Sequence, residues 1–178
     1  MRTGTIVLVG YLACVIVAAF WRLLPWVHDA IPEVGALSAA YLGLTARRQV
    51  SPAIGGAIVL GYLVDLISGA PPGLFALVFA LTMLVARAVQ QRILVRGATL
   101  SIAFSALVAL AASVLALLVR VLYRMPTATF AVELHHVAMV TLSTAILGPL
   151  VWRMFRRIDA AFARTHRERE AALEGLAP

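Results

Sequence analysis

Asp65 stands out among the acidic residues, because it is the only Asp or Glu between Arg48 and Arg87 in a stretch that is otherwise apolar. An ionisable side chain is costly inside a membrane-spanning segment, and it is then a candidate for handling a proton or a polar substrate. Asp65 lies seventeen residues after Arg48, about 25 Å along a helix, near the interface where that cost is small. We therefore expect the Asp65 carboxylate to pair with a neighbouring helix or to cap backbone donors at the next turn, in preference to handling a proton or a substrate.

A second polar group, Glu133, His135 and His136, stands at the start of the last apolar run. Adjacent histidines point in different directions on a helix, so this pair cannot easily share one metal ion. No cysteine or second acid stands nearby at the spacing of metal ligands. These residues are expected to be interfacial polar side chains, and no metal site is predicted.

The sequence lacks the common signatures of catalysis. It has no Gly-x-Ser-x-Gly and no phosphate-binding glycine-rich loop ending in Lys. It contains no lysine at all, and no two carboxylates stand close together within the apolar runs. We therefore expect no catalytic residue, no cofactor and no enzymatic activity.

The composition is that of a membrane protein. Of the 178 residues, 62% are hydrophobic and only 13% are charged, and the mean hydropathy is +0.97. A soluble domain is about half apolar and about a quarter charged. The formal charge of +7 comes from fifteen arginines and eight acids, which in a membrane protein favours contact with anionic lipid over nucleic acid. The single cysteine, Cys14, lies inside an apolar run, so no disulfide framework is predicted.

Six uncharged runs must position these side chains. Four of them approach or exceed the roughly 20 residues that a spanning helix needs. The third run reaches that length if it continues past Asp65 to Ser68, which leaves Gly69–Gly73 as a turn. The second run is short, covering about 20 Å as a helix, and is compatible with a short or re-entrant helix. The runs are Thr3–Trp21, Val34–Ala46, Gln49–Val64, Leu66–Ala86, Gly97–Val119 and Leu134–Trp152.

The distribution of arginine predicts the topology. If all six runs cross, twelve of the fifteen arginines lie on the side of the N-terminus and three on the other, as the positive-inside rule requires. We therefore predict an all-α integral membrane protein, a compact bundle of six transmembrane helices with both termini in the cytoplasm. Residues 1–158 form the membrane domain and residues 159–178 an arginine-rich tail, either a surface helix or a solvated extension.

Small residues recur four apart on several runs, which allows helices to approach closely. Packing within the bundle is favoured over a partner interface for two of these faces, and a third face carries Asp65. The three faces are Gly35, Ala39 and Gly43; Ser101, Ser105, Ala109 and Ser113; and Gly61, Asp65 and Gly69.

The segment from Gly56 to Leu77 resembles the signature of the bacterial rod shape-determining protein MreD family. That pattern has a glycine-spaced helix, an Asp near its end, a Gly/Pro turn and an apolar helix followed by arginines. The matching residues are Gly61, Asp65, Gly69, Pro71 and Gly73, followed by Arg87 and Arg92. Phe75 departs from the pattern, since many relatives have a polar residue there. The specific match covers about a quarter of the chain.

This resemblance implies a non-enzymatic scaffold of the cell-elongation complex (the elongasome) in the bacterial inner membrane. The family partners the single-span protein MreC and, through it, the peptidoglycan synthase RodA with its transpeptidase, while MreB filaments lie on the cytoplasmic side. Its helix arrangement is similar to the substrate-binding subunits of energy-coupling-factor transporters. The Gly61–Asp65–Gly69 face and its turn, including Pro71 and Gly73, are then the expected functional face.

Two other functions remain open. The first alternative is a substrate-binding subunit of a vitamin or metal-ion transporter of the energy-coupling-factor type, which requires a polar cavity opening outward. Asp65, Glu133, His135 and His136 are the main residues available to line one, with Arg120 or Arg124. A membrane enzyme ranks last, because clustered His, Asp or Arg residues are missing.

Overall fold

The computed structural model describes residues 2–23, 30–46, 50–90 and 98–174, with side chains given throughout except at 90, 98 and 165–174. The described residues form α-helices and no β-strand, so the predicted all-α class is confirmed. Arg47, Arg48, Arg92 and Arg96, which the predicted topology places on one side, lie outside the described residues. In chain order the helices are α1 (Arg2–Arg22), α2 (Val34–Thr45), α3 (Ser51–Ser68), α4 (Leu74–Gln90), α5 (Ala98–Leu122) and α6 (Phe130–Glu174).

Four of the described helices, α1, α3, α5 and α6, are long and apolar enough to cross a membrane. Helices α2 and α4 have 12 and 17 residues, or about 18 and 26 Å at the helical rise. The third helix continues past Asp65 to Ser68, as predicted, and α4 begins only after the turn at Gly69–Gly73. The chain therefore has the long apolar helices of a membrane protein.

Contacts between distant residues define the two ends of the bundle. At one end, the guanidinium of Arg87 near the end of α4 donates a hydrogen bond to the carbonyl of Ala46, just after α2. We call this the arginine-rich end; its described arginines are Arg2, Arg87, Arg153, Arg156, Arg157 and Arg164. We call the other end, where α3 meets α4, the turn end.

Helix α2 is the buried centre of the fold. Every residue from Val34 to Gly43 is buried, and α2 contacts each of the other five helices. Its many glycine and alanine residues explain this position, because small side chains let several neighbouring helices approach closely in lipid. At Gly43 a Cβ atom would lie 2.4 Å from the carbonyl oxygen of Met83, so glycine lets α2 pack directly on the α4 backbone. The run that looked like a marginal spanning helix is the core of the bundle.

The serine-rich face of α5 also packs internally. Ser101, Ser105 and Ala109 are buried, and the indole N–H of Trp152 donates to Ser105 Oγ at 2.8 Å. A Cβ at Gly148 would lie 2.1 Å from that same oxygen. These contacts join α5 to α6, in agreement with the preference for packing within the bundle.

Helix α6 continues without a break across the predicted boundary between residues 158 and 159. Just beyond that boundary, Asp159 joins three helices at the arginine-rich end. Its carboxylate accepts hydrogen bonds from Arg2 Nε and Nη2 at 2.6 and 2.7 Å, and from the Tyr41 hydroxyl at 2.5 Å. The first residue of α1, the end of α2 and the distal part of α6 are thereby tied together.

We expect Asp159→Asn to lower the free energy of unfolding by about 1 kcal/mol. The substitution replaces the bidentate ion pair between Arg2 and Asp159 by a contact with a neutral amide. The effect is modest because 44% of the Arg2 side chain is exposed, and exposure screens the pair. Thermal unfolding of the purified protein in detergent, compared with Asp159→Glu, measures the change. Equal stability of wild type and Asp159→Asn would contradict the prediction.

Candidate functional site

The segment that carries the resemblance forms a helical hairpin. Helix α3 ends at Ser68, the turn Gly69–Gly73 follows, and α4 begins at Leu74. The two helices pack against each other along their length. We call this unit, Ser51–Gln90, the α3–α4 hairpin.

Gly61 is the point of closest approach in the hairpin. A Cβ atom there would lie 2.4 Å from the carbonyl oxygen of Phe75 and 2.5 Å from Ala76 Cα. Both are backbone atoms, so they cannot turn away as a flexible side chain would. Glycine at 61 therefore sets the distance between the α3 and α4 backbones.

Asp65 lies one helical turn beyond Gly61 and is only 2% exposed. Its Oδ2 accepts a hydrogen bond from the Gly73 N–H and its Oδ1 accepts one from the Phe75 N–H, both at 2.8 Å. The first N–H groups of a helix have no partner within the helix, and a carboxylate there also interacts favourably with the helix dipole. Asp65 thus caps α4 from the preceding helix, which is one of the roles considered from the sequence, and both of its oxygens are engaged.

The turn between the helices is shaped by its glycines. Gly69 has φ +67° and Gly73 has φ +99°, values that side-chain-bearing residues rarely adopt. Gly69, Pro71 and Pro72 are exposed, whereas Gly73 is half-buried. The predicted functional face therefore separates into a buried part, Gly61 and Asp65, and an exposed turn.

Glu133, His135 and His136 lie in the first turns of α6. Glu133 accepts a hydrogen bond from the backbone N–H of Ala128 at 3.2 Å, and both histidines are exposed. Among the residues that the structure describes, no three His, Cys, Asp or Glu side chains are grouped closely enough to hold a metal ion.

A cavity lies at the turn end, and its lining differs in part from the residues that the sequence offered for a polar cavity. It has a volume of about 380 Å³, and all six helices or their adjoining residues contribute to its walls. Its ionisable side chains include Arg22, Glu33, Arg120 and His136. Burial raises the pKa of the Glu33 carboxyl to about 7, and the positive charge of Arg120 opposes that rise. Of the lining residues that were considered earlier, the structure brings Arg120 and His136 here, whereas Asp65 caps α4.

Glu33 was missed because it reads as an ordinary loop acid one residue before an apolar run. Its position depends on a tertiary contact, in which the Glu33 N–H donates to Thr144 Oγ1 of α6 at 2.9 Å. The one feature of the sequence that could have pointed to Glu33 is its position directly before the run that forms the buried helix α2. Comparison with known proteins finds no matching family model, no matching curated protein and no matching solved structure.

Proposed function

We propose that this protein is a non-enzymatic scaffold subunit of the rod-shape complex in the bacterial inner membrane, where it binds MreC and helps to organise peptidoglycan synthesis. The observation that supports the proposal is the hairpin. Gly61, Asp65, Gly69 and Gly73 match the MreD pattern, and each has a definite part in one physical unit: close approach, capping and two left-handed turn positions. A pattern of residues that build one element together is stronger support than the same residues scattered over the fold.

The proposal includes the predicted topology, with six crossings and both termini in the cytoplasm. The described residues favour it, because Arg2, Arg87, Arg153, Arg156 and Arg157 share the arginine-rich end. At the inner surface these side chains would meet the headgroups of anionic lipids. MreB filaments would then lie on the same side and act indirectly.

The buried part of the hairpin supports a partner surface rather than forming one. Gly61 and Asp65 contact α4, so they hold α3 in place. The opposite face of α3 is exposed, with Gly55, Val59, Tyr62 and Leu66 on it, and a Cβ at Gly55 would meet nothing within 4 Å. A small residue beside larger apolar ones suits a partner helix in lipid. We propose this outward α3 face, next to the exposed turn, as the contact for the MreC transmembrane helix.

The test is copurification from native membranes in mild detergent, followed by coexpression with MreC. Recovery of MreC, RodA and its transpeptidase is the expected result. Recovery of an ATPase pair with a long-helix coupling subunit would instead support the transporter alternative.

Variants locate the MreC contact. We expect the double variant Tyr62→Ala, Leu66→Ala to reduce MreC recovery at least tenfold. The matched control, Leu110→Ala with Leu118→Ala, removes exposed apolar side chains from α5 and should leave recovery within twofold. Equal recovery with both pairs would show that MreC does not use the α3 face.

A further inference from the structure

The cavity at the turn end has the dimensions of a small-molecule site. Ligand pockets in proteins have volumes of about 300–1,000 Å³ and are mostly apolar, with a few placed polar groups. The 380 Å³ cavity is lined by the last turns of α1, α3 and α5 and by the beginnings of α2, α4 and α6. It therefore lies at the centre of the bundle end rather than in a groove between two helices.

The inner wall is aromatic and aliphatic. Phe75 and Phe79 contact each other with ring centroids 5.7 Å apart, and both line the cavity with Val34 and Val140. Phe79, Val34 and Val140 are buried. A Cβ at Gly35 would lie 2.4 Å from the Phe79 ring, so the glycine seats this ring against α2. Such a wall suits the apolar or aromatic body of a ligand.

The charged lining has an excess of positive charge. Arg22 at the end of α1 is exposed, Arg120 near the end of α5 is half-buried, and Glu33 faces them. Because burial raises the pKa of the Glu33 carboxyl to about 7, this group is only partly ionised at neutral pH and does not fully cancel the charge of the two guanidinium groups. A guanidinium binds a carboxylate through paired N–H donors, and partial burial strengthens that contact.

We propose that this cavity binds a small molecule with an apolar body and a single carboxylate, held by Arg120 and Arg22 with its body against Phe79. This ligand site is separate from the outward face of α3 and does not depend on the scaffold role. When it is ionised, Glu33 competes with the ligand for Arg120.

The probe is 6-fluoro-2-naphthoate, observed by fluorine NMR with the full chain in lipid nanodiscs. Empty nanodiscs and the neutral 6-fluoro-2-naphthamide are the reference measurements. We expect saturable binding of the carboxylate that empty nanodiscs do not show, and at least tenfold weaker binding of the amide. Line broadening that is equal with and without protein would overturn the proposal, because the probe would then be dissolving in lipid.

Arg120→Gln should weaken binding at least tenfold. Arg124→Gln is its matched control, since it removes the same charge from an exposed position at the same end of α5 and should change the affinity less than twofold. Ala18→Trp, which fills the cavity from α1, should abolish binding while thermal unfolding shows a folded protein. Unchanged affinity in both Arg120→Gln and Ala18→Trp would place the probe elsewhere.

The pH dependence tests the part played by Glu33. The described titratable and charged groups around it in the cavity are Cys14, Arg22, Arg120 and His136. Binding should weaken severalfold from pH 6 to pH 8, as the Glu33 carboxyl ionises and pairs with Arg120. A His136→Asn background removes the imidazole, and adding Glu33→Gln should abolish the remaining dependence. A pH dependence that persists after Glu33→Gln would overturn the role of Glu33.

Discussion

Asp65→Ala is expected to lower the free energy of unfolding by about 3 kcal/mol, because two partly buried N–H groups at the start of α4 would lose their charged acceptor. The carboxylate is 2% exposed and its oxygens accept from Gly73 and Phe75, so water cannot easily replace it. Asp65→Asn keeps one acceptor oxygen but turns an amide N–H₂ toward the other backbone donor. Its free energy of unfolding should therefore lie between those of the wild type and Asp65→Ala. Reversible unfolding in detergent micelles measures all three proteins.

Glu133→Ala is the matched control for Asp65. Glu133 also accepts a hydrogen bond from a backbone N–H, that of Ala128, but at an exposed site and at 3.2 Å. Its removal should cost less than about 1 kcal/mol, because water replaces the lost acceptor. Equal losses in the two alanine variants would contradict the capping role. Unchanged expression and unchanged MreC recovery in Asp65→Ala would contradict the further expectation that the hairpin is functionally sensitive.

Gly61→Ala should lower the free energy of unfolding by about 3 kcal/mol, because the added methyl group would overlap the α4 backbone and force the helices apart. The nearest atoms are the Phe75 oxygen and Ala76 Cα, which belong to a rigid helix. The same unfolding measurement detects the loss, and crosslinking of paired cysteines across the hairpin would report the wider spacing.

Gly55→Ala in the same helix makes the same chemical change where no neighbour lies within 4 Å. Alanine forms helix better than glycine by about 1 kcal/mol, so this control should be stabilised slightly. We therefore expect the two alanine substitutions to change the free energy of unfolding in opposite directions, with an increase at position 55 and a decrease at position 61. Stabilisation at both positions would mean that α3 and α4 are not closely packed at Gly61.

The hairpin was the part of the fold most accessible from sequence. Its information is local: the apolar run reaches Ser68, and Gly69–Gly73 has the composition of a turn. Capping by Asp65 was also foreseeable, because the donors at Gly73 and Phe75 follow within ten residues. Pairing of Asp159 with Arg2 spans 157 positions, and nothing local to either residue indicates it.

The lining of the cavity and the burial of α2 could not be predicted from the sequence, because both depend on contacts between distant parts of the chain. The length and hydropathy of a run indicate whether it can span a membrane as a helix. The run Val34–Ala46 is short by that criterion. Length and hydropathy do not measure how many neighbours a helix has. Glu33 and Arg120 are brought together only once six helices have a common arrangement, and an arrangement of this kind depends on contacts at every helix rather than on any one stretch.

The burial of α2 has a consequence for the biogenesis of the protein. A helix of 12 residues is too short to span the hydrocarbon core unaided, and its contacts on α3 to α6 are made by residues that the ribosome adds later. The packing around this segment can therefore be completed only after the downstream helices have been made, because α1 is the only one of its five partner helices that precedes it. The centre of the protein is thus among the last parts of the fold to be completed, although it lies near the beginning of the chain.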